Sequence, residues 1–340
     1  KSRWIQNLKK KAEAIILKDY FLKLNLKTEE LVEGFPEIIS DLKNAPKTYR
    51  LKKRFSFLTD DNLFRFDITI VKTSTKENGN YGSYIPALNM IASNVLNNPP
   101  EYEVELEYIG KTDEENETIF KKLFKHIKFA LQPLQDNEII MSTNEKSIIS
   151  KEYMNLVFPS LSLDDKFRFI RKYFIGPQPV TLEMNNIREY KKDSNVININ
   201  NDYSVTDKAD GERNLLFIND EGKIYMINQK MDIKYTDIIC ESLKNSILDG
   251  EHIKFDKNDK SLETELFGVF DIYFYNGNDI RNHILSNPKI QDSDGNIRQL
   301  YPELNQGRYQ ILETIFKKSK FINEKLKKTI TIFKKHFEFV

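Results

Sequence analysis

Cysteine is almost missing from this 340-residue chain, which has one, Cys240. A lone thiol excludes an intrachain disulfide and any zinc site built on cysteines, as expected of a reducing compartment. There is no run of about 18 apolar residues, so no membrane-spanning helix is expected. Residues 1–25 carry lysines throughout, unlike a secretory signal. The expectation is a cytoplasmic protein with no membrane partner. An excess of either charge is lacking too: 52 Lys and Arg face 51 Asp and Glu, a net charge of +1. That balance neither announces nor excludes a nucleic-acid partner, because a basic groove can hide in a neutral total. Internal repeats are absent as well.

What is present is material for cores. Apolar residues make up 39% of the chain and include 23 Phe and 16 Tyr. The length suits two domains. The opening segment, residues 4–42, has apolar residues at helical spacing and reads as mainly helix. From Tyr49 the period changes to two: YRLKKRFSF, the turn TDDN, then LFRFDITIV, the pattern of a hairpin. A third strand, EYEVELEYI at 101–109, follows a Pro-Pro break. ENETIFKKLFKHIKFALQ then predicts a helix with Ile119, Phe120, Leu123, Phe124, Ile127 and Leu131 on one broad face. The polar stretch QPLQDNEIIMSTNEKS places the domain boundary near residue 140, giving domains 1–140 and 141–340. A helical patch is expected around DDKFRFIRKYFIG.

Parity sorts the strand side chains of the first domain. Glu101, Glu103, Glu105 and Glu107 share one face of their strand, with Tyr102, Val104, Leu106 and Tyr108 on the other. Arg50, Lys52 and Arg54 share a parity, as do Arg65, Asp67 and Thr69, opposite the apolar Phe64, Phe66, Ile68 and Ile70. Four carboxylates in a row tolerate a cavity only with cations among them, and the hairpin supplies those cations. One reading is an antiparallel sheet with a wet face and a core face. The other is a barrel whose interior holds a divalent metal on Glu103, Glu105 and Glu107 and phosphate oxygens on Arg50, Lys52, Arg54 and Arg65.

In the second domain, residues 206–218 read TDKADGERNLLFI. DYSVTD reads as a strand, NLLFI as another, and Lys208 as a lysine held in the turn between them. A neutral lysine amine is a nucleophile, and desolvation or a nearby cation such as Arg213 favours that form. Gly211 would allow a nucleotide to approach the backbone closely. Farther on, SILDGEHIKF carries Asp249, Gly250 and Glu251 after an apolar strand, and LFGVFDIYFYNGNDIR carries Asp271 in an aromatic run. Glu251 and Asp271 are hard oxygen ligands of the kind Mg²⁺ prefers.

EVELE, with Glu103, Glu105 and Glu107, resembles the E-x-E-x-E strand of the tunnel RNA triphosphatases. That family also has an early E-x-E strand, for which residues 1–48 offer no counterpart, since Glu29, Glu30 and Glu33 read as helix. KADGER, LDGE and FGVFDIYF, in this order, resemble motifs I, III and IIIa of the covalent nucleotidyltransferases, which include mRNA guanylyltransferases and ATP-dependent ligases. With the triphosphatase-like segment upstream, the chain resembles the large capping enzymes of poxviruses, African swine fever virus, giant viruses and yeast linear plasmids. The resemblance implies an α+β fold: an antiparallel β tunnel followed by an ATP-grasp-like nucleotidyltransferase domain of antiparallel sheets with helices. It implies Lys208 as the covalently modified residue, with Asp210, Gly211, Arg213, Glu251 and Asp271 around the nucleotide. GTP would be the substrate, Mg²⁺ or Mn²⁺ the cofactor and the 5′ end of nascent RNA the acceptor. A cap methyltransferase domain or subunit and RNA polymerase are the implied partners, and a virus factory or virion the implied place. Later motifs IV and V find no counterpart, since Asp294-Gly295 stands too close to motif IIIa and Lys318 and Lys320 lack a strand setting. The chain therefore reads as an internal segment of a longer polypeptide. Two alternatives stay open: an ATP-dependent polynucleotide ligase, separated by its choice of nucleotide, and a non-catalytic scaffold that binds RNA or a polymerase.

Overall fold

The computed structural model describes residues 5–9, 14–31, 44–79, 81–110, 114–162, 171–188, 197–200, 203–256, 258–259, 261–287, 289–291, 297–299, 301, 304–325 and 330–339. It divides the chain into two compact units, Lys1–Ile140 and Met141–Val340. Both are built mainly from antiparallel sheets with a few helices, an α+β architecture.

The first unit opens with β1 (Ile5–Lys9), β2 (Ile15–Leu17), β3 (Leu22–Leu24) and β4 (Lys27–Leu31), paired β1 with β4 and β2 with β3. The helix expected here is therefore replaced by strands. Leu22 and Leu24 alternate with Lys23 in a two-residue period that the helical reading passed over, and Phe21, at a left-handed φ of 53°, turns the chain between β2 and β3. Glu29 and Glu30 lie within β4, not in a helix, while Glu33 is outside the described residues.

Next come β5 (Arg50–Leu58) and β6 (Phe64–Thr73), then a small hairpin of β7 (Lys76–Asn78) and β8 (Tyr81–Tyr84), and then β9 (Glu101–Tyr108). β5, β6 and β9 form a three-stranded antiparallel sheet with β6 in the middle. The expected tunnel is thus represented, among the described residues, by an open sheet. Register puts Arg54, Thr69 and Glu103 in one row and Ser56, Asp67 and Glu105 in the next. On the other face Phe64 is buried, and helix α1 (Asn116–Gln135) covers it: His126 sits 5.1 Å from the Phe64 ring and 5.8 Å from Phe66, with Phe129 6.0 Å from Phe66.

The second unit begins with α2 (Thr143–Val157), whose first turn is capped by the Ser142 hydroxyl accepting from the Glu145 amide at 3.0 Å. In the helical patch expected after it, residues 163–170 lie outside the described set and Arg171–Tyr173 form a 3-10 turn. A short helix α3 (Met184–Ile187) leads to β10 (Ser204–Val205), β11 (Glu212–Ile218), β12 (Lys223–Asn228), β13 (Ile233–Ile239), β14 (Ser246–Phe255) and β15 (Glu263–Tyr275). Then follow β16 (Asn278–Asp279), β17 (Lys289–Gln291), β18 (Ile297–Gln299), α4 (Arg308–Lys318), β19 (Ile322–Asn323), β20 (Thr331–Lys334) and β21 (Glu338–Phe339). The main sheet has the order β16-β15-β14-β11-β12-β13-β19, with β20 added to β15 in parallel.

Its two faces are covered by different helices. Leu216, Ile218, Leu248, Val269 and Ile272 pack on Ile311, Leu312 and Ile315 of α4. The opposite parity meets α2, where Tyr153 lies edge-on to Phe217 at 5.8 Å. Because both faces are covered, β11 and β12 read as near-continuous apolar runs, NLLFI and KIYMI. Among the described residues no helix is long and apolar enough to cross a membrane.

Candidate active site

Three segments far apart in the chain converge at one end of the main sheet. The first is the loop 206–211, which carries Lys208 between β10 and β11. The sequence places Lys208 in a turn between two strands. The structure leaves it exposed: β10 is only two residues long and pairs with β21, so six residues outside any strand separate it from β11. Asp210 on the same loop is exposed too.

The second segment is β14. Asp249, Gly250 and Glu251 lie inside this strand and not after it. The Gly211 amide donates to the Glu251 carboxylate at 2.9 Å, tying the end of the lysine loop to β14. A Cβ on Gly211 would run into the His252 carbonyl, so this approach requires glycine. His252 itself is a buried strand residue whose Nε2 meets the Glu265 carboxylate at 2.8 Å.

Arg213 stands directly opposite Glu251 in the register, yet its guanidinium reaches one step along the strand. It grips the fully buried Asp249 with two nitrogens, Nε at 3.1 Å from Oδ1, and donates to the Pro177 carbonyl. Phenyl rings flank it, Phe174 at 5.7 Å and Phe270 at 5.6 Å. The Tyr273 hydroxyl also donates to Asp249. Burial pushes the Asp249 carboxyl above its ordinary value, against the pull of Arg213 and Tyr273.

The third segment is β15 with its neighbours. Asp271 pairs with Asp249 in the ladder, and a bulge then lets Phe270 be the extra residue before Val269 meets Gly250. Asp271 is engaged by another element. Both of its oxygens are held by Arg308 of α4, at 2.8 and 3.0 Å. Lys335, just beyond β20, donates to the Asp207 carbonyl and lies 6.0 Å from the Phe270 ring.

The second unit thus brings Lys208, Gly211, Arg213 and Glu251 to one place. A model of the mRNA capping enzyme catalytic domain matches residues 143–337, more than half of the chain and all of it inside the second unit. The chain belongs to the mRNA capping enzyme family. It is also 31% identical over 237 residues to a protein of Acanthamoeba polyphaga mimivirus described as a probable mRNA-capping enzyme. That match covers 68% of this chain and 16% of the mimivirus protein, so the chain spans about a sixth of the length of that relative.

Within this capping-enzyme domain, sequence reasoning passed over Asp249 as the partner of Arg213, and Arg308, Phe270 and Lys335 altogether. Only Asp249 carried a signal, a carboxylate in the apolar run SILDG. The metal and phosphate residues expected in the first unit lie on the charged face of β5, β6 and β9, where they pair with one another. Arg50 and Lys52 meet Glu103, Arg54 meets Glu105 at 2.7 Å, and Arg65 meets Glu107. Beneath them the buried Asp67 accepts from Ser56 at 2.6 Å, Arg54 at 3.0 Å and Arg65 at 3.1 Å. Among the described residues no group of three or more His, Cys, Asp or Glu is arranged to hold a metal ion.

Proposed function

We propose that the second unit is an RNA guanylyltransferase that works through a covalent lysyl-GMP intermediate. One observation carries this beyond the family match: Lys208 is exposed on a loop whose far end is pinned to Glu251 of the interior strand β14. A nucleophile must be reachable yet held, and this loop is both. The Lys208 Nζ forms a bond to the α-phosphorus of GTP as the bond to the β-phosphate oxygen breaks; pyrophosphate leaves and the amine gives up a proton. A terminal phosphate oxygen of diphosphate-ended RNA then attacks the same phosphorus, the Nζ–P bond breaks, and the lysine recovers its proton.

Asp210 is proposed to face the ribose, Arg213 to frame the site from its grip on Asp249, and Gly211 to let the lysine loop close on β14. The donor set does not fit a divalent cation held by protein alone. It fits a cation that arrives with the triphosphate, for which Glu251 is the carboxylate nearest the lysine loop. Such a cation would neutralise charge on the phosphates. Asp271 is proposed to act on the nucleotide site through its ion pair with Arg308.

The test is incubation with α-labelled GTP or ATP and Mg²⁺ or Mn²⁺, followed by a denaturing gel. Label from GTP is expected, lost in Lys208→Ala. Label from ATP alone would make the protein a ligase, and no label from either would leave a scaffold.

For the first unit we propose an RNA 5′-triphosphatase-like role on the face of β5, β6 and β9. Four cations interleaved with Glu103, Glu105 and Glu107 support it, and metal binding there requires the guanidinium groups to turn from carboxylate to phosphate.

A further inference from the structure

The approach to Lys208 is secured by residues more than 120 positions downstream. β10, the strand before the lysine loop, pairs with β21: Ser204 with Phe339 and Val205 with Glu338. Thr206 donates to the His336 carbonyl at 2.6 Å, and Lys335 donates to the Asp207 carbonyl. Lys335 is in turn fixed by the main sheet. Its amide donates to Val269 at 2.7 Å, and its stem crosses Gly268, where a Cβ would stand 3.1 Å from its Cγ.

Resting on the guanylyltransferase reading, we propose that Lys335 is a positioning residue for nucleotidyl transfer: its ammonium holds the Asp207 carbonyl and so fixes where the adjoining Lys208 presents its amine. Glu251, Asp207 and Lys208 are the charged groups around it. Burial and the charge of Lys208 hold its pKa below the usual lysine value, against the pull of Glu251 and Asp207. The Asp207 carbonyl and the Phe270 ring are the contacts that face this charge.

Lys335→Met keeps the stem and removes the charge and donors; Lys335→Arg keeps the charge and donors. In the full chain, single-turnover labelling with GTP at saturation is expected to slow roughly ten- to hundred-fold in the Met variant, the size expected for losing a charged hydrogen bond. The GTP concentration for half-maximal rate should move far less, and Arg should restore most of the rate. Amide exchange across residues 203–211 should rise in Lys335→Met while the exchange of β11 and β14 stays as in the parent. Met labelling at the parent rate with unchanged loop exchange overturns the proposal, as does a Met variant that loses protection throughout the sheet. If the parent chain takes no label, the guanylyltransferase reading fails, and loop exchange alone still decides whether Lys335 holds the loop.

Discussion

Asp67 shows how a single residue can carry a face of charges. Burial pushes its carboxyl up, but the Ser56 hydroxyl and the Arg65 and Arg54 guanidinium groups pull harder, and it ends below the ordinary carboxylate value. A depressed carboxylate contributes stability that is complete above the unfolded value of about 4 and is lost as pH falls through the lower folded value. Acid unfolding of the first unit should therefore lose part of its steepness in Asp67→Asn, and the variant should be about 1–3 kcal/mol less stable at pH 7, since Arg54 and Arg65 keep Glu105 and Glu107 but lose charged hydrogen bonds to Asp67. Urea melts at pH 3 to 7 read both effects. Lys208 belongs to the same scale: its substitution should remove GTP labelling and leave the melting temperature unchanged, because an exposed loop lysine holds nothing in the core.

At the scale of elements, the site depends on β14 and β15 approaching closely. Gly250 makes that possible. A Cβ there would collide with the Phe267 ring and lie 2.7 Å from the Gly268 carbonyl. Gly250→Ala should cost about 1–3 kcal/mol by overpacking and displace Asp249 and Glu251 together, so that thermal stability and labelling fall in parallel. Sequence patterning finds β5, β6, β9 and α1, because periods of two and 3.6 are local properties, whereas it ends β14 before Asp249 and reads β15 only as an aromatic run. Its helix over residues 4–42 is replaced by strands between residues 5 and 31, where the segments are too short for a two-residue period to stand out beyond Leu22 and Leu24. It also gave the lysine loop a longer preceding strand than the structure has: β10 exists only through its pairing with β21, and nothing in DYSVTD announces that partner.

At the scale of the whole molecule, the family match and the proposed chemistry fall in the unit Met141–Val340, and the charged sheet in Lys1–Ile140. After labelling of the intact chain with GTP, cleavage between the helices near residue 140 should leave the label on the C-terminal fragment. Release of γ-phosphate from triphosphate-ended RNA, if present, should be lost in Glu105→Gln without loss of label; the reverse pattern would sink the division of labour. Legible along the chain are the residue types of the proposed site, their order in KADGER, LDGE and FGVFD, and the parity that gathers carboxylates on one strand face. These follow from spacing along a few residues. Only the tertiary structure decided the partners: Arg213 with Asp249 across 36 residues, Arg308 with Asp271 across 37, and Lys335 with Asp207 across 128. Such pairs are set by ladder register and by which elements pack on which face, and a residue's immediate neighbours in sequence carry no record of either.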